Sequence, residues 1–184
     1  MTMESPRFTY RAALERVRGG GVDADALDDQ IARAGRRPSK TGFAVGTETP
    51  PEEVAGAVGS PALVRRSVRC VDGSPAAIET SYYPLDIASG TELETHGDIA
   101  RGTINVLAEL GHAQVRYVDD VAARMPSADE AAELGIGADI PVLRVDRTAF
   151  STDRAIRVTR TVTVTGTGHG MPYRYEVGSS GAAS

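Results

Sequence analysis

Residues 64–84 read VRRSVRCVDGSPAAIETSYYP. Two runs rich in β-branched and aromatic residues, Ala62 to Val71 and Ala76 to Tyr83, flank Asp72-Gly73-Ser74-Pro75. Each residue of that tetrapeptide favours a turn for its own reason: side-chain capping, positive φ or a fixed φ. The stretch therefore predicts a β-hairpin. Alternation places Leu63, Arg65, Ser67, Arg69 and Val71 on one face of the first strand, and Val64, Arg66, Val68 and Cys70 on the other. On the second strand Glu79, Ser81 and Tyr83 oppose Ile78 and Tyr82. Arg69 and Glu79 then carry one of two meanings. They form a cross-strand ion pair, or the guanidinium grips a ligand's acid while the carboxylate accepts from its hydroxyls or amine.

Outward from the hairpin the chain alternates short helices and strands. Upstream, Thr41 to Glu48 alternates at Phe43 and Val45 and reads as a strand, and Pro50-Pro51-Glu52-Glu53 opens a short helix through Val58. Further upstream, Arg7 to Arg18 has helical spacing up to Gly19-Gly20-Gly21. A second helix follows from Asp23, with Leu27 and Ile31 on one side, Gly35 at its end and Pro38 beyond. Residues 1–40 thus read as a helical arm. Downstream, Gly102 to Leu110 is helical, Gln114 to Arg124 is a strand, and Ser127-Ala128-Asp129-Glu130 is a capping box for a helix to Leu134. Val142 to Phe150 and Ala155 to Thr165 form a second hairpin, and Tyr173 to Val177 a last strand. A domain over 41–178 with a disordered tail at 179–184 completes the reading. Hairpins with interspersed helices predict an α+β fold, an antiparallel sheet flanked by helices.

The chain has 184 residues, of which 41% are hydrophobic and 24% charged, with a net charge of −5. This is globular composition and excludes collagen, coiled coil and wholesale disorder. An acidic domain repels DNA phosphate on average, so it does not read as a DNA reader itself. No run reaches the length of a membrane span and the N-terminus has no signal-peptide core. Cys70 is the one cysteine, which fits a reducing, cytoplasmic setting and a small buried side chain. Lys40 is the one lysine.

Three stretches together resemble the UTRA domain, the effector-binding half of GntR-type repressors of the HutC subfamily, whose fold is that of chorismate lyase. They are residues 64–84, GDIARGTINVLAELGH at 97–112, and ARMPSADEAAELGIGADIPVLRVDRTAFSTD at 123–153. The arm at 1–40 is similar to the linker helices that precede this domain in actinobacterial members. The resemblance implies that Arg69 and Glu79 face an effector, with Ser81 on the same face. It also implies that Thr103, a serine or threonine position in the family, touches the effector; Asn105 stands where the family has a tyrosine. Thr103 also reads as a plain helix cap. Arg157 stands where the family pattern has glutamate, and Ser67 where many members have arginine. The family's amino-sugar phosphate therefore does not transfer, and the expected ligand is a different acidic or polyhydroxylated metabolite.

Two further arginines are puzzles of alternation. Arg160 falls amid Ile156, Val158, Val162 and Val164, and Arg147 shares a face with Leu143, Val145 and Ala149. A charge on an apolar face needs a carboxylate or a polar cavity, unless a bulge shifts the faces. Both join the candidate ligand-binding set. His96, His112 and His169 share no metal-ligand spacing, and Gly166–Gly170 precedes no helix, so neither metal nor cofactor is implied.

The leading expectation is a small-molecule sensor that forms a homodimer, has no membrane association, and touches DNA only through a winged helix this sequence does not supply. The alternative is an enzyme of the chorismate lyase fold, a lyase or cyclase acting on an acidic metabolite with Glu79 as proton donor. A third reading is a fragment of a longer regulator.

Overall fold

The computed structural model describes residues 10–11, 26–165 and 173–174. Strands are β1 (Tyr10–Arg11), β2 (Pro38–Glu48), β3 (Ala62–Val71), β4 (Ser74–Pro84), β5 (Arg116–Arg124), β6 (Val142–Phe150), β7 (Ala155–Val164) and β8 (Tyr173–Arg174). Helices are α1 (Ala26–Arg33), α2 (Glu52–Val58), α3 (Leu85–Ala88), α4 (Thr103–Glu109) and α5 (Ala128–Leu134), with a 3-10 turn at Glu92–Glu94. Six strands form one sheet in the order β2-β3-β4-β7-β6-β5, every pair antiparallel. This is the α+β architecture expected from the alternation of hairpins and helices.

The central hairpin is tighter than the sequence implied. Asp72 and Gly73 both have positive φ, 53° and 84°, the twist of a two-residue turn that matches the strands it joins. Ser74 and Pro75 accordingly belong to β4. A register shift follows at Arg69/Cys70, where Cys70 pairs with Pro75 and Arg69 with Ala77. The extra residue, Ala76, packs with Val71, Ala77 and the α1 side chains Leu27 and Ile31.

Each sheet face has its own cover. On the front face α1 covers one end. At the other end Ile87, Ala88, Leu93, Ile99, Val106 and Leu107, from α3 to α4, pack on Leu63, Tyr83 and Ala149. On the back face α2 packs Val54 and Val58 on Val64, Tyr82 and Val158, while α5 sets Leu134 against Val68, Ile78 and Val162. Each large apolar side chain buried this way contributes about 1.5–3 kcal/mol relative to exposure.

Ion pairs fix α5 to the sheet. Arg66 forks onto both carboxylate oxygens of Glu133. Arg124 forks onto Glu130 at 2.6 and 2.7 Å, and Glu130 also completes the capping box with Ser127. Arg124, aided by Ser127, holds the Glu130 carboxyl at about 2. A depressed carboxylate stabilises the fold above its ordinary value of 4.5 and loses that contribution as pH falls towards 2. The pair is only half-buried, so solvent screening reduces the contribution to about 1 kcal/mol. Glu130→Gln is expected to cost that much at pH 7 and to flatten the fall of Tm between pH 4.5 and 2, measured by scanning calorimetry across that range.

Several expectations are corrected. Tyr10–Arg11 is a strand paired parallel to β8, not part of a helix over Arg7 to Arg18; the ladder supplies the hydrogen bonds that a helix would have made, and the rest of that segment lies outside the described residues. Pro38 pairs with Val71, so residues 38–40 belong to the sheet rather than to a helical arm. Proline is tolerated there because it is the first residue of an edge strand. Of the expected last strand, Tyr173–Arg174 is seen; Tyr175 to Val177, the glycine-rich loop and the tail at 179–184 lie outside the described residues.

Candidate functional site

Between the two front-face covers the sheet is left open. A cleft of about 480 Å³, including the part open to solvent, lies there with Ser67, Glu79 and Ser81 on its floor. The register explains the grouping: Ser67 pairs with Glu79, Arg65 with Ser81, and Ser81 with Thr159 on the next strand. Paired residues of an antiparallel ladder point to the same side. Thr103, Lys40 and Asp98 line its walls.

Arg69 stands behind the floor rather than in it. Its side chain is 3% exposed. Nε and Nη2 donate to the two oxygens of Glu79 at 3.0 Å each, and Nη1 donates to Asp28 of α1. Lys40 extends the chain, with Nζ 3.1 Å from both Asp28 and Asp98. Three carboxylates and two cations thus alternate along this side of the cleft. The guanidinium is engaged by these two carboxylates. It fixes the Glu79 carboxylate, which lines the cleft as an acceptor.

Arg65 does related work on the backbone. It donates to the carbonyls of Leu93 at 2.6 Å, Thr95 at 2.7 Å and Gly97 at 2.7 Å. Burial lowers its affinity for a proton, against attraction from Tyr83, Asp98 and Glu92. These bonds hold the segment that delivers Asp98 and Ile99 to the cleft wall. Among the sequence candidates Arg65, Lys40 and Asp98 were absent. Lys40's being the one lysine was the available signal; Asp98 lies between the first hairpin and the helix from Gly102, where no periodic pattern marks it.

The remaining candidates divide. Ser81 bonds Thr159 hydroxyl to hydroxyl at 2.8 Å and lines the cleft beside Glu79. Thr103 lines it too, as the first residue of α4, whose cap is Gly102 with no side-chain cap bond; Thr103 is therefore not the cap. Arg157 lies behind Thr103, its Nη1 3.5 Å from the threonine hydroxyl. Asn105 turns away, donating to the Arg101 carbonyl at 2.6 Å.

Arg147 and Arg160 lie outside this cleft. Arg147 is on the front face but two strands from the floor. It forks onto Asp119, directly opposite in register, at 2.7 and 2.8 Å, and its guanidinium lies 4.1 Å from the Tyr117 ring centroid. Arg160 is on the back face. It donates to Asp146 at 2.9 Å through both Nε and Nη2, and to Glu53 of α2 at 3.0 Å. Burial pushes the Asp146 carboxyl up, and Arg160 and Arg144 overcome this and hold it below its ordinary range. The β6–β7 register is regular from Val142 to Ala149, and the shift beyond it at Ala149/Phe150 moves Ile156 into the front-face core but leaves Arg147 and Arg160 in place; carboxylates directly across the ladder neutralise both charges. Among the described residues no cluster of His, Cys, Asp and Glu is arranged to hold a metal, and no helix is long and apolar enough to cross a membrane.

The comparisons agree with this architecture. The sequence matches the UTRA domain family over residues 33–165. Among solved structures, the effector domain of PhnF from Mycobacterium smegmatis superposes with a TM-score of 0.69 at 23% identity, covering 85% of this chain and 97% of that one. The ligand-binding domain of a GntR-family transcriptional regulator from Bordetella bronchiseptica gives 0.64 at 22%, covering 77% and 90%. The C-terminal domain of the histidine utilization repressor from Pseudomonas syringae gives 0.63 at 21%, covering 77% and 100%. A search of curated protein sequences gave no match. At such identities the structural likeness is one of fold, and the sequence match over most of the chain sets the family: this chain belongs to the UTRA domain family.

Proposed function

We propose that this UTRA domain is the sensor of a GntR/HutC-type transcriptional regulator and that it binds a small polyhydroxylated metabolite in the front-face cleft. The observation that carries this reading is the Glu79 carboxylate, held by an arginine fork on a floor of serine hydroxyls. A fixed acceptor beside hydroxyls that both donate and accept is suited to a ligand rich in hydroxyl groups. Orientation is built in before binding, which spares the ligand the cost of ordering the site.

On this reading DNA is contacted through a separate winged-helix module, and the sensor acts as a homodimer. The exposed apolar side chains Val115, Val118 and Val121, on and beside the β5 edge, support the self-association. Ligand binding shifts such a dimer only through a difference in affinity for its two arrangements. The geometry of Glu79 speaks for the sensor over the lyase. Both oxygens of Glu79 are engaged as acceptors from Arg69, whereas a general acid must donate.

The test is mass spectrometry of the purified protein after incubation with a bacterial metabolite extract, following bound and free species over time. A hydroxylated metabolite retained unchanged is the expected result. A metabolite consumed, with a product appearing, would replace the sensor reading with an enzyme.

A further inference from the structure

We propose that Arg157, with Gln114 and Thr103, seats an acidic group of the ligand, so that the molecule sensed is a compact hydroxy acid. The inference deepens the cleft reading and rests on it. Arg157 is 6% exposed, yet the partners of its guanidinium are neutral: the Thr103 hydroxyl at 3.5 Å and the Gln114 Oε1 at 3.2 Å. Its Nε is buried without an acceptor. Among the described residues no carboxylate pairs with it. Arg69, Arg147 and Arg160 differ in this respect, because each is forked by a carboxylate.

Gln114 sharpens the point. An arginine can only donate, so the amide oxygen of Gln114 must face it. The Nε2 donor is thereby fixed at the other end of the amide, where it too is buried without an acceptor. Two orphan donors and one positive charge without a carboxylate thus belong to one pair of contacting side chains. A neutral acceptor would satisfy the donors and leave the charge. A carboxylate or phosphate satisfies all three.

The seat is next to the cleft. Thr103, which Arg157 touches, is a cleft-wall residue. Thr159, two residues along the same strand, pairs with the floor residue Ser81. Arg157 is thus about 7 Å along β7 from Thr159 and Ser81 lies one strand spacing of about 5 Å beyond, a span that one compact molecule covers. Its hydroxyls meet Glu79 and Ser81, and its acid passes Thr103 to Arg157.

Acetate and acetamide, equal in shape and different in charge, are the probes. In the full chain, the Arg157 Nε–H resonance, assigned by its loss in Arg157→Lys, is followed by NMR during titration with each. Acetate is expected to shift it to saturation, acetamide to leave it in place, and the Arg69 and Arg147 signals to stay fixed. Gln114→Glu supplies an internal carboxylate. It is expected to raise Tm and to weaken the acetate response by at least about tenfold. An Arg157 signal indifferent to acetate, or a Gln114→Glu variant of lower Tm that still titrates with acetate, would overturn the proposal. If acetate is silent at Arg157 while a retained metabolite still moves the Glu79 and Ser81 amides, the acid seat fails and the cleft reading stands. The opposite pattern keeps the seat and removes the cleft as the sensor site.

Discussion

Arg69→Met is expected to destabilise the domain by about 3–5 kcal/mol, the usual effect of removing one partner from a buried ion pair. For a chain of this size that lowers Tm by roughly 6–20 °C. The size follows from geometry. One guanidinium, 3% exposed, accepts the charge of both Glu79 and Asp28. Its removal leaves Glu79 without its fork and Asp28 with Lys40 as its cation, and the lost Arg69–Asp28 bond also loosens α1 from the sheet. Arg69→Lys is expected to recover only part of the stability, because an ammonium cannot fork onto one carboxylate while reaching a second. The triple variant Arg69→Met, Glu79→Gln, Asp28→Asn leaves no stranded charge and is expected to be more stable than Arg69→Met alone. Thermal and urea denaturation check all three. A single variant within about 0.5 kcal/mol of wild type would show that the fork does not hold the floor.

Glu79→Gln is expected to weaken binding of the retained metabolite by about 10–100-fold, as befits hydrogen bonds to a charged group worth about 1.5–3 kcal/mol. Glutamine keeps one oxygen for Arg69, so the fold survives and the loss is read at the ligand. Ser81→Ala removes a neutral hydroxyl and is expected to cost about tenfold or less. Titration calorimetry with the metabolite recovered from the extract measures both. Equal affinities for wild type and Glu79→Gln would remove Glu79 from the site.

The fold was legible because its signals are local. Asp72-Gly73 marks the hairpin, Ser127 with Glu130 caps α5, and the apolar alternation of Val158, Val162 and Val164 marks the back face. The site was legible only in part, because its partners come from far along the chain. Asp28 reaches Arg69 across 41 positions, and Lys40 reaches Asp98 across 58. Nothing local announces either. Arg147 and Arg160 show a different limit. Their carboxylates, Asp119 and Asp146, lie directly opposite them across β-ladders. Alternation exposed the unpaired charge, and only the register between strands reveals what neutralises it. Arg157 is the converse case: the sequence marks it as a charge reversal against the family pattern, and the structure leaves it without a carboxylate among the described residues.

Hydrogen exchange with the retained metabolite bound tests the cleft most directly. Residues 40–43 and 97–103 flank it, and the register break between Thr41 and Ala44 and the irregular backbone of 97–102 leave amides in both segments whose exchange no ladder masks. Protection gained in these two segments, with α2, α5 and the back face around Asp146 and Arg160 unchanged, is the expected result. Protection gained on the back face, with 40–43 and 97–103 exchanging as before, would contradict the assignment of the front-face cleft as the ligand site.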